Sequence, residues 1–222
     1  MNNNTKNIQM ILFDLDGTLW DSSEPVARSW NIVFEKYREE FPGLPVLTAE
    51  DIRNVMGRTM EDISRMIMPD MDPLKRSVIF NECSSFEVEY IAQHGGRLFE
   101  GLEDALKEIR DMGILMSVVS NCQTGYIEAF LSSMHMDEYF CDIESWGNTL
   151  KSKSSNIKLV MERNNITNAV YAGDTVKDGE AAAEAGIPFI WASYGFGDVS
   201  RYDYKLEEIS SLPGLLKKIY IR

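Results

Sequence analysis

Short apolar runs alternate along this chain with longer segments in which apolar residues recur at helical spacing. The runs at residues 10–13, 114–119, 169–172 and 187–192 are bounded by turn residues and predict buried strands, with a weaker candidate at 140–143. Helical stripes lie between them, as in Leu102, Leu106 and Ile109. This alternation predicts an α/β fold with right-handed crossovers and a mostly parallel sheet.

Residues from about 22 to about 95 interrupt that alternation with helical patterns alone. Thr48 and Thr59 each precede an Asp by three residues, as in a capping box, and Asp72-Pro73 is a typical start for a long helix. Gly95 follows that helix. The sequence therefore predicts a core made of residues 1–21 and 96–222, with a helical cap at 22–95 inserted soon after the first strand.

Composition is that of a globular protein, with 44% apolar and 26% charged residues in a chain of 222. No apolar run reaches the length that crosses a bilayer, and residues 1–6 are polar, unlike a signal peptide. The three cysteines are scattered, which argues against a disulfide framework or a thiolate zinc site. We therefore expect a cytoplasmic protein.

The formal net charge is −13. A surface of that sign repels nucleic acids and anionic membranes, so neither is an expected partner. It also repels phosphorylated small molecules. A site for such a molecule would need local positive charge from a metal, a lysine or backbone N–H groups.

Polar residues that can do chemistry follow three of the apolar runs. The carboxyl ends of parallel strands share one edge of a sheet, which is where ligands bind in open α/β folds. The residues at these ends are Asp14, Asp16, Gly17 and Thr18 after the first run, Ser120 and Asn121 at the second, and Gly173, Asp174 and Asp178 at the third, while Lys151 and Lys153 lie between the second and third.

Several carboxylates at one sheet edge indicate a cation site. Asp14 and Asp16 point the same way if the chain is extended there, and Asp174 would arrive from a neighbouring strand. Acids this close repel one another unless a cation lies between them. Oxygen ligands without a His or Cys cluster favour a hard ion such as Mg²⁺. The simpler alternative is that these acids and hydroxyls only cap helices or form turns.

Together these motifs resemble the haloacid dehalogenase-like hydrolases. Asp14 to Thr18 match the family's DxDG[TV] motif, Ser120 matches its Ser or Thr at a strand end, and Gly173 to Asp178 match its GDxxxD motif. Lys153 or Lys151 matches its lysine. The resemblance implies a Rossmann-like parallel-sheet core with an inserted helical cap, as in the branch that includes phosphoglycolate phosphatases and β-phosphoglucomutases.

The resemblance also implies catalytic roles. Asp14 would be the nucleophile and a magnesium ligand. Asp16 would be the general acid and then the general base, and its backbone carbonyl would bind magnesium. A lysine would pair with Asp14 and the phosphate. We favour Lys153, because it lies just before a predicted helix start near residue 156, and Lys151 is the alternative.

The remaining residues would bind phosphate or metal. Thr18, Ser120 and Asn121 would hold the phosphoryl group. Asp174 would complete the metal site, and Asp178 would bind the metal through water or orient its ligands. In the predicted cap, Arg58 lies between Gly57 and Thr59 and could reach an anionic group of the substrate, although such an arginine is more often solvated.

The expected function is magnesium-dependent hydrolysis of a small phosphorylated metabolite through an aspartyl-phosphate, by a monomer or weak dimer. Asp16 favours phosphate esters, because a halide leaving group needs no proton. A phosphosugar mutase is one alternative, but Val26 and Met60 stand where mutases typically carry His and Arg. A non-catalytic phosphometabolite sensor is another, which the presence of Asp16 disfavours. The substrate itself is not predicted.

Overall fold

The structure is a computed structural model, and it describes residues 8–220. The polar start of the chain, on which the expected absence of a signal peptide rests, lies outside the described residues.

A six-stranded parallel sheet forms the centre of the molecule in the order β5-β4-β1-β6-β7-β8. The α/β class and the parallel sheet that the sequence predicts are thereby confirmed. A separate antiparallel pair, β2 and β3, forms a small second sheet. The strands are β1 (Met10–Phe13), β2 (Trp20–Asp21), β3 (Arg97–Leu98), β4 (Leu115–Ser120), β5 (Asp142–Ser145), β6 (Ala169–Gly173), β7 (Phe189–Ala192) and β8 (Tyr204–Leu206).

Helices cover both faces of the sheet and fill the segment between β2 and β3. They are α1 (Ser23–Tyr37), α2 (Ala49–Arg53), α3 (Met60–Ile67), α4 (Pro73–His94), α5 (Leu102–Asp111), α6 (Tyr126–Met134), α7 (Trp146–Thr149), α8 (Lys153–Arg163), α9 (Val176–Ala185) and α10 (Leu212–Tyr220). Within residues 8–220, no helix combines the length and the apolar character that a membrane crossing requires.

Some strands differ from the pattern-based prediction. The weak candidate at 140–143 is displaced along the chain, because β5 pairs with β4 from Asp142 to Ser145. Strands β2, β3 and β8 were not predicted. These three are too short to show a period of two, and they exist because partners elsewhere in the chain lie beside them, as Leu98 lies beside Trp20.

Alternate residues of β1 enter two different cores. Ile11 and Phe13 belong to a cluster that continues into the helices after β2, where Trp30 joins it. Met10 and Leu12 belong to a second cluster on the other face, against α8 and α9. A strand buried on both faces reads as a continuous apolar run, which is how β1 appears in the sequence.

The insert's helices begin at the residues that the sequence indicates. Thr48 accepts a hydrogen bond from the backbone N–H of Asp51, and Thr59 accepts one from that of Asp62. Asp72 caps α4, whose first residue is proline. Each side chain binds N–H groups that a helix start otherwise leaves without partners.

The β2–β3 pair lies where the chain enters and leaves the helical segment. Asp21, at the end of β2, accepts hydrogen bonds on Oδ2 from Arg53 at 2.8 Å and from Arg97 at 3.1 Å. Arg53 belongs to α2 and Arg97 to β3. Asp21 therefore links a helix of the insert to the strand through which the chain leaves the insert. The division into core and cap at residues 22 and 95 stays a prediction.

Candidate active site

The central position of β1 brings the predicted site residues together. Asp14 directly follows β1, Ser120 ends the neighbouring β4, and Asp174 directly follows β6 on the other side. The backbone N–H of Asp14 donates to the carbonyl of Ala172 at 2.8 Å, which extends the pairing by one residue. All three polar side chains are buried.

Gly17 allows the chain to turn sharply beneath this edge. Its φ is +79°, in the left-handed region that favours glycine, and its N–H donates to the carbonyl of Trp20 at 2.9 Å. A Cβ at this position would lie 2.2 Å from Oδ2 of Asp174. The glycine of the first motif therefore lets the loop after β1 pack directly against an acid that follows β6.

Asp14, Asp174 and Asp178 form a buried acidic cluster, in which one carboxylate oxygen from each lies within 4.8 Å of the others. Burial and the charge of Asp178 raise the pKa of Asp14 to about 6, although Lys153 opposes them. Burial, Asp178 and Asp14 likewise raise the pKa of Asp174 well above its usual range. Carboxylates that are buried and this close together need positive charge between them.

Lys153 supplies part of that charge. It is the first residue of α8, and its side chain is only 4% exposed. Its Nζ lies 3.0 Å from Oδ1 of Asp14 and 2.5 Å from Oδ1 of Asp178. Burial lowers the pKa of Lys153, but the two carboxylates outweigh it and the pKa is raised overall. Lys151, the alternative, is exposed.

Asp178 uses both of its carboxylate oxygens. Oδ1 accepts from Lys153, while Oδ2 accepts from the backbone N–H and the hydroxyl of Thr175 at 2.9 and 2.6 Å. Asp178 and Thr175 form the capping box of α9. The helix-capping role that the sequence offered as the simpler interpretation of Asp178 is therefore real. The same carboxylate fixes the lysine beside Asp14.

Asp16 is held by two residues that the sequence did not reveal. Its Oδ1 accepts from the hydroxyls of Ser22 at 2.6 Å and Tyr126 at 3.1 Å, and these hydroxyls lie 2.8 Å apart. Burial raises the pKa of Asp16 to about 7, and the hydrogen bond from Ser22 opposes that rise. No local pattern marks Ser22 or Tyr126, because tertiary folding alone brings them to Asp16.

The predicted phosphate-binding residues lie around the same edge. Oγ1 of Thr18 is buried with no hydrogen-bond partner among residues 8–220, and the carbonyl of Thr18 accepts from the hydroxyl of Tyr194 at 2.7 Å. Asn121 donates from Nδ2 to the carbonyl of Gly57 at 3.4 Å, which links the end of β4 to the loop before α3. Ser120 lies beside it at the strand end.

A cavity of about 60 Å³ lies between this edge and the helical insert. Asp14, Asp16 and Ser120 line it from the sheet side. Val26 and Met60, the two residues that the sequence comparison with mutases singled out, line it from the insert. The wall opposite the carboxylates is therefore largely apolar.

Two charged residues of the insert also line the cavity. Arg58 is exposed, and no ion pair of Arg58 is formed within residues 8–220. Glu87, on α4, is buried and accepts a hydrogen bond on Oε2 from the indole N–H of Trp30 at 2.5 Å. Glu87 was missed in the sequence, although it occupies an apolar position of α4 between the buried Cys83 and Ile91.

The acidic cluster fits a hard divalent cation. Its donors are all carboxylate oxygens, as Mg²⁺ prefers. Oδ2 of Asp174 accepts from the backbone N–H of Phe196 at 2.7 Å, but its Oδ1 is buried without a hydrogen-bond partner in the described chain. A buried carboxylate oxygen without a partner is costly, and a bound cation would satisfy it.

Comparison with known proteins settles the family. Residues 11–192 match the family model described as haloacid dehalogenase-like hydrolase. The chain belongs to this family. The predicted membership and hydrolase class are therefore confirmed.

Individual relatives are more distant. A phosphoglycolate phosphatase of Rhodobacter capsulatus is 26% identical, over 93% of this chain and 96% of the relative. A solved structure of a predicted phosphoglycolate phosphatase from Haemophilus somnus is 18% identical, with a TM-score of 0.81 over 94% and 97% of the two chains. CbbY from Rhodobacter sphaeroides, solved with phosphate, is 22% identical, with a TM-score of 0.74 over 92% and 96%. At these identities the structures support the fold alone.

The buried Glu87 yields a prediction on stability. Burial raises the pKa of Glu87 to about 8 from 4.5, against the hydrogen bonds from Trp30 and Gln123. Between these two values the folded protein keeps a proton that the unfolded chain has released, so this residue lowers the free energy of unfolding as the pH rises. Relative to wild type, Glu87→Gln should therefore gain stability from pH 5 to pH 8, by an amount on the order of a few kcal/mol.

Urea unfolding of both proteins at several pH values across this range measures the effect. The matched control is Glu89→Gln, which changes an exposed glutamate on the same helix and should follow wild type throughout. A constant difference between Glu87→Gln and wild type from pH 5 to pH 8 would show that Glu87 titrates normally.

Proposed function

We propose that this enzyme is a magnesium-dependent phosphatase that hydrolyses a small phosphomonoester through an aspartyl-phosphate on Asp14. The arrangement of Asp14 carries the proposal. This carboxylate lies beside Lys153 and within the acidic cluster, and it shares one cavity with Asp16. A nucleophile, a source of positive charge and a separate acid therefore meet at one place.

Asp14, Asp174 and the backbone carbonyl of Asp16 would hold the magnesium ion. Asp178 would act through a water molecule or by orienting Lys153, because both of its oxygens already accept hydrogen bonds. When bound, the ion supplies positive charge against the phosphoryl oxygens and the carboxylates. Lys153 adds charge on the side of Asp14.

In the first step, a carboxylate oxygen of Asp14 attacks phosphorus, and the bond to the leaving-group oxygen breaks. Asp16, in its protonated form, gives its proton to that oxygen. The pKa of about 7 suits this role, because a useful share of the molecules then carries the proton near neutral pH. Hydrogen bonds to the phosphoryl oxygens would come from Thr18, Ser120 and Asn121.

In the second step, water attacks the phosphorus of the aspartyl-phosphate, and Asp16 accepts the proton of that water. Phosphate leaves and Asp14 is free again. Ser22 and Tyr126 bind one carboxylate oxygen of Asp16 and would keep the side chain in place through both steps. The insert would exclude other water from the cavity.

The substrate class follows from the cavity and the relatives. A small, largely apolar cavity suits a small leaving group. Relatives of this chain are named phosphoglycolate phosphatases, and phosphoglycolate is a small phosphomonoester. The net charge of −13 disfavours nucleic acids and anionic membranes as partners. We place the enzyme in the cytoplasm as a monomer or weak dimer. A mutase is less well supported, since Val26 and Met60 offer it no acid–base group.

Asp14→Asn should abolish magnesium-dependent phosphate release. The amide is a poor nucleophile, so kcat should fall by at least about 1,000-fold on any phosphomonoester that wild type hydrolyses. The measurement is phosphate release from a panel of phosphometabolites, with and without Mg²⁺.

Asp111→Asn, at the exposed end of α5, is the matched control and should keep wild-type rates. Undiminished release in Asp14→Asn would mean that another group attacks phosphorus.

The two lysines should differ sharply. Lys153→Ala removes the ammonium that lies between Asp14 and Asp178, and kcat should fall by about 100-fold or more. Lys151→Ala removes an exposed lysine two residues away and should change kcat by less than about twofold. Steady-state kinetics at saturating Mg²⁺ compare them, with thermal unfolding to verify folding. A loss confined to Lys151→Ala would reverse the assignment.

A further inference from the structure

Residues 193–197, which follow β7, form a loop that packs against Asp174. The backbone N–H of Phe196 donates a hydrogen bond to Oδ2 of Asp174 at 2.7 Å. The backbone at Gly195 comes so close that a Cβ there would lie 2.4 Å from Cβ of Asp174. The second carboxylate oxygen, Oδ1, is buried with no hydrogen-bond partner among residues 8–220. The loop therefore binds one oxygen of Asp174 and leaves the other for a cation.

The aromatic ring of Phe196 anchors this part of the loop. Glycines flank Phe196 at positions 195 and 197, so no other side chain between these positions can restrain its backbone N–H. The ring is half-buried and packs against Gly17, where a Cβ would lie 3.0 Å from Cδ2 of Phe196. A shift of the ring should therefore move the N–H that binds Asp174.

Arg53, a residue of the helical insert, lies over this ring. Its guanidinium carbon is 5.8 Å from the ring centroid of Phe196, within the range of a cation–aromatic attraction. Arg53 is the last residue of α2, and its Nη2 lies 2.8 Å from Oδ2 of the buried Asp21. The guanidinium is thus held by Asp21, and it connects a helix of the insert to the loop that binds Asp174.

We propose that Arg53 is a positioning residue for the metal site, which holds the ring of Phe196 and, through the backbone N–H of Phe196, orients Asp174 toward the cation. The inference rests on the magnesium site of the proposed function and deepens it by giving the insert a role in metal binding. Charge alone would have the opposite effect, since removing a positive charge near the site favours a cation. A loss of Mg²⁺ affinity without the guanidinium is therefore the mark of positioning.

Calorimetric titration of Mg²⁺ into the metal-free protein tests this role without any substrate. The dissociation constant for Mg²⁺ should rise about fivefold in Arg53→Met, as expected for the loss of a partly exposed cation–aromatic contact. It should rise about tenfold in Phe196→Leu, which loses the ring that fixes a hydrogen bond to a metal ligand. In the double variant it should equal that of Phe196→Leu, because Arg53 acts through the ring.

Arg97→Met is the matched control. Nη2 of Arg97 lies 3.1 Å from the same Oδ2 of Asp21, and the side chain is exposed. Among the described residues, however, the cation over the ring of Phe196 is Arg53 and not Arg97. The control therefore removes a similar charge and a bond to Asp21, and it should keep the wild-type dissociation constant within about twofold. Thermal unfolding of the metal-free variants verifies that each one folds.

Three results would overturn the proposal. The first is Mg²⁺ binding by Arg53→Met that equals or exceeds that of wild type. The second is an equal loss of affinity in Arg97→Met, which would place the effect in Asp21. The third is a double variant whose loss is the product of the two single losses, since Arg53 would then act independently of Phe196.

The titration needs no turnover, so its result is separate from the proposed reaction. If no phosphomonoester is hydrolysed while the Mg²⁺ dissociation constants follow the expected pattern, the proposed function fails and the role of Arg53 stands. If phosphomonoesters are hydrolysed while Arg53→Met binds Mg²⁺ as wild type does, the function stands and the role of Arg53 fails. Wild-type protein that binds no Mg²⁺ would overturn the metal site on which both rest.

Discussion

Mutual repulsion among buried carboxylates at one sheet edge is the constraint on which this structure depends. One carboxylate oxygen from each of Asp14, Asp174 and Asp178 lies within 4.8 Å of the others, and all three side chains are buried. The ammonium group of Lys153 contacts Asp14 and Asp178. Such a cluster is costly to fold without further positive charge. The same repulsion that destabilises the free site would favour binding of a metal ion, and the charge of that ion together with Lys153 would then attract a phosphoryl group.

The fold maintains this cluster by distributing its members over separate rigid elements. Asp14 extends the central strand, Asp174 follows the neighbouring strand, and Asp178 and Lys153 lie in the first turns of two helices. Because sheet pairing or a helix cap fixes each backbone, repulsion cannot separate the backbone positions from which these side chains project. A glycine at position 17 allows the remaining close approach.

The helical insert adds a different chemistry to the same cavity. The sheet side presents carboxylates and hydroxyls, whereas the insert presents apolar residues, Glu87 and the exposed Arg58. This division separates two tasks. In the proposed function, the sheet edge would carry the reaction at phosphorus, and the insert would meet the leaving group.

Sequence patterns predicted the features that depend on local or repeated signals. Buried strands such as β1 appear as apolar runs, and motif residues at their ends meet because parallel strands share an edge. The hydrogen-bond partners of Asp16 could not be predicted from the sequence, because Ser22 and Tyr126 are separated by 104 residues and meet only through tertiary packing. The short strand β8 carries too few residues to show a pattern. Glu87 did leave a signal, as a charged residue on the buried stripe of α4.

Trapping the covalent intermediate would identify the residue that attacks phosphorus. Wild-type enzyme would be mixed with a hydrolysable phosphomonoester and Mg²⁺, quenched in acid within milliseconds and reduced with borohydride, which converts a phosphorylated aspartate to homoserine. Mass spectrometry of the peptides then identifies the position. We expect homoserine at position 14 in place of Asp14. Homoserine at another aspartate, or steady turnover with no modified aspartate at any quench time, would contradict this expectation.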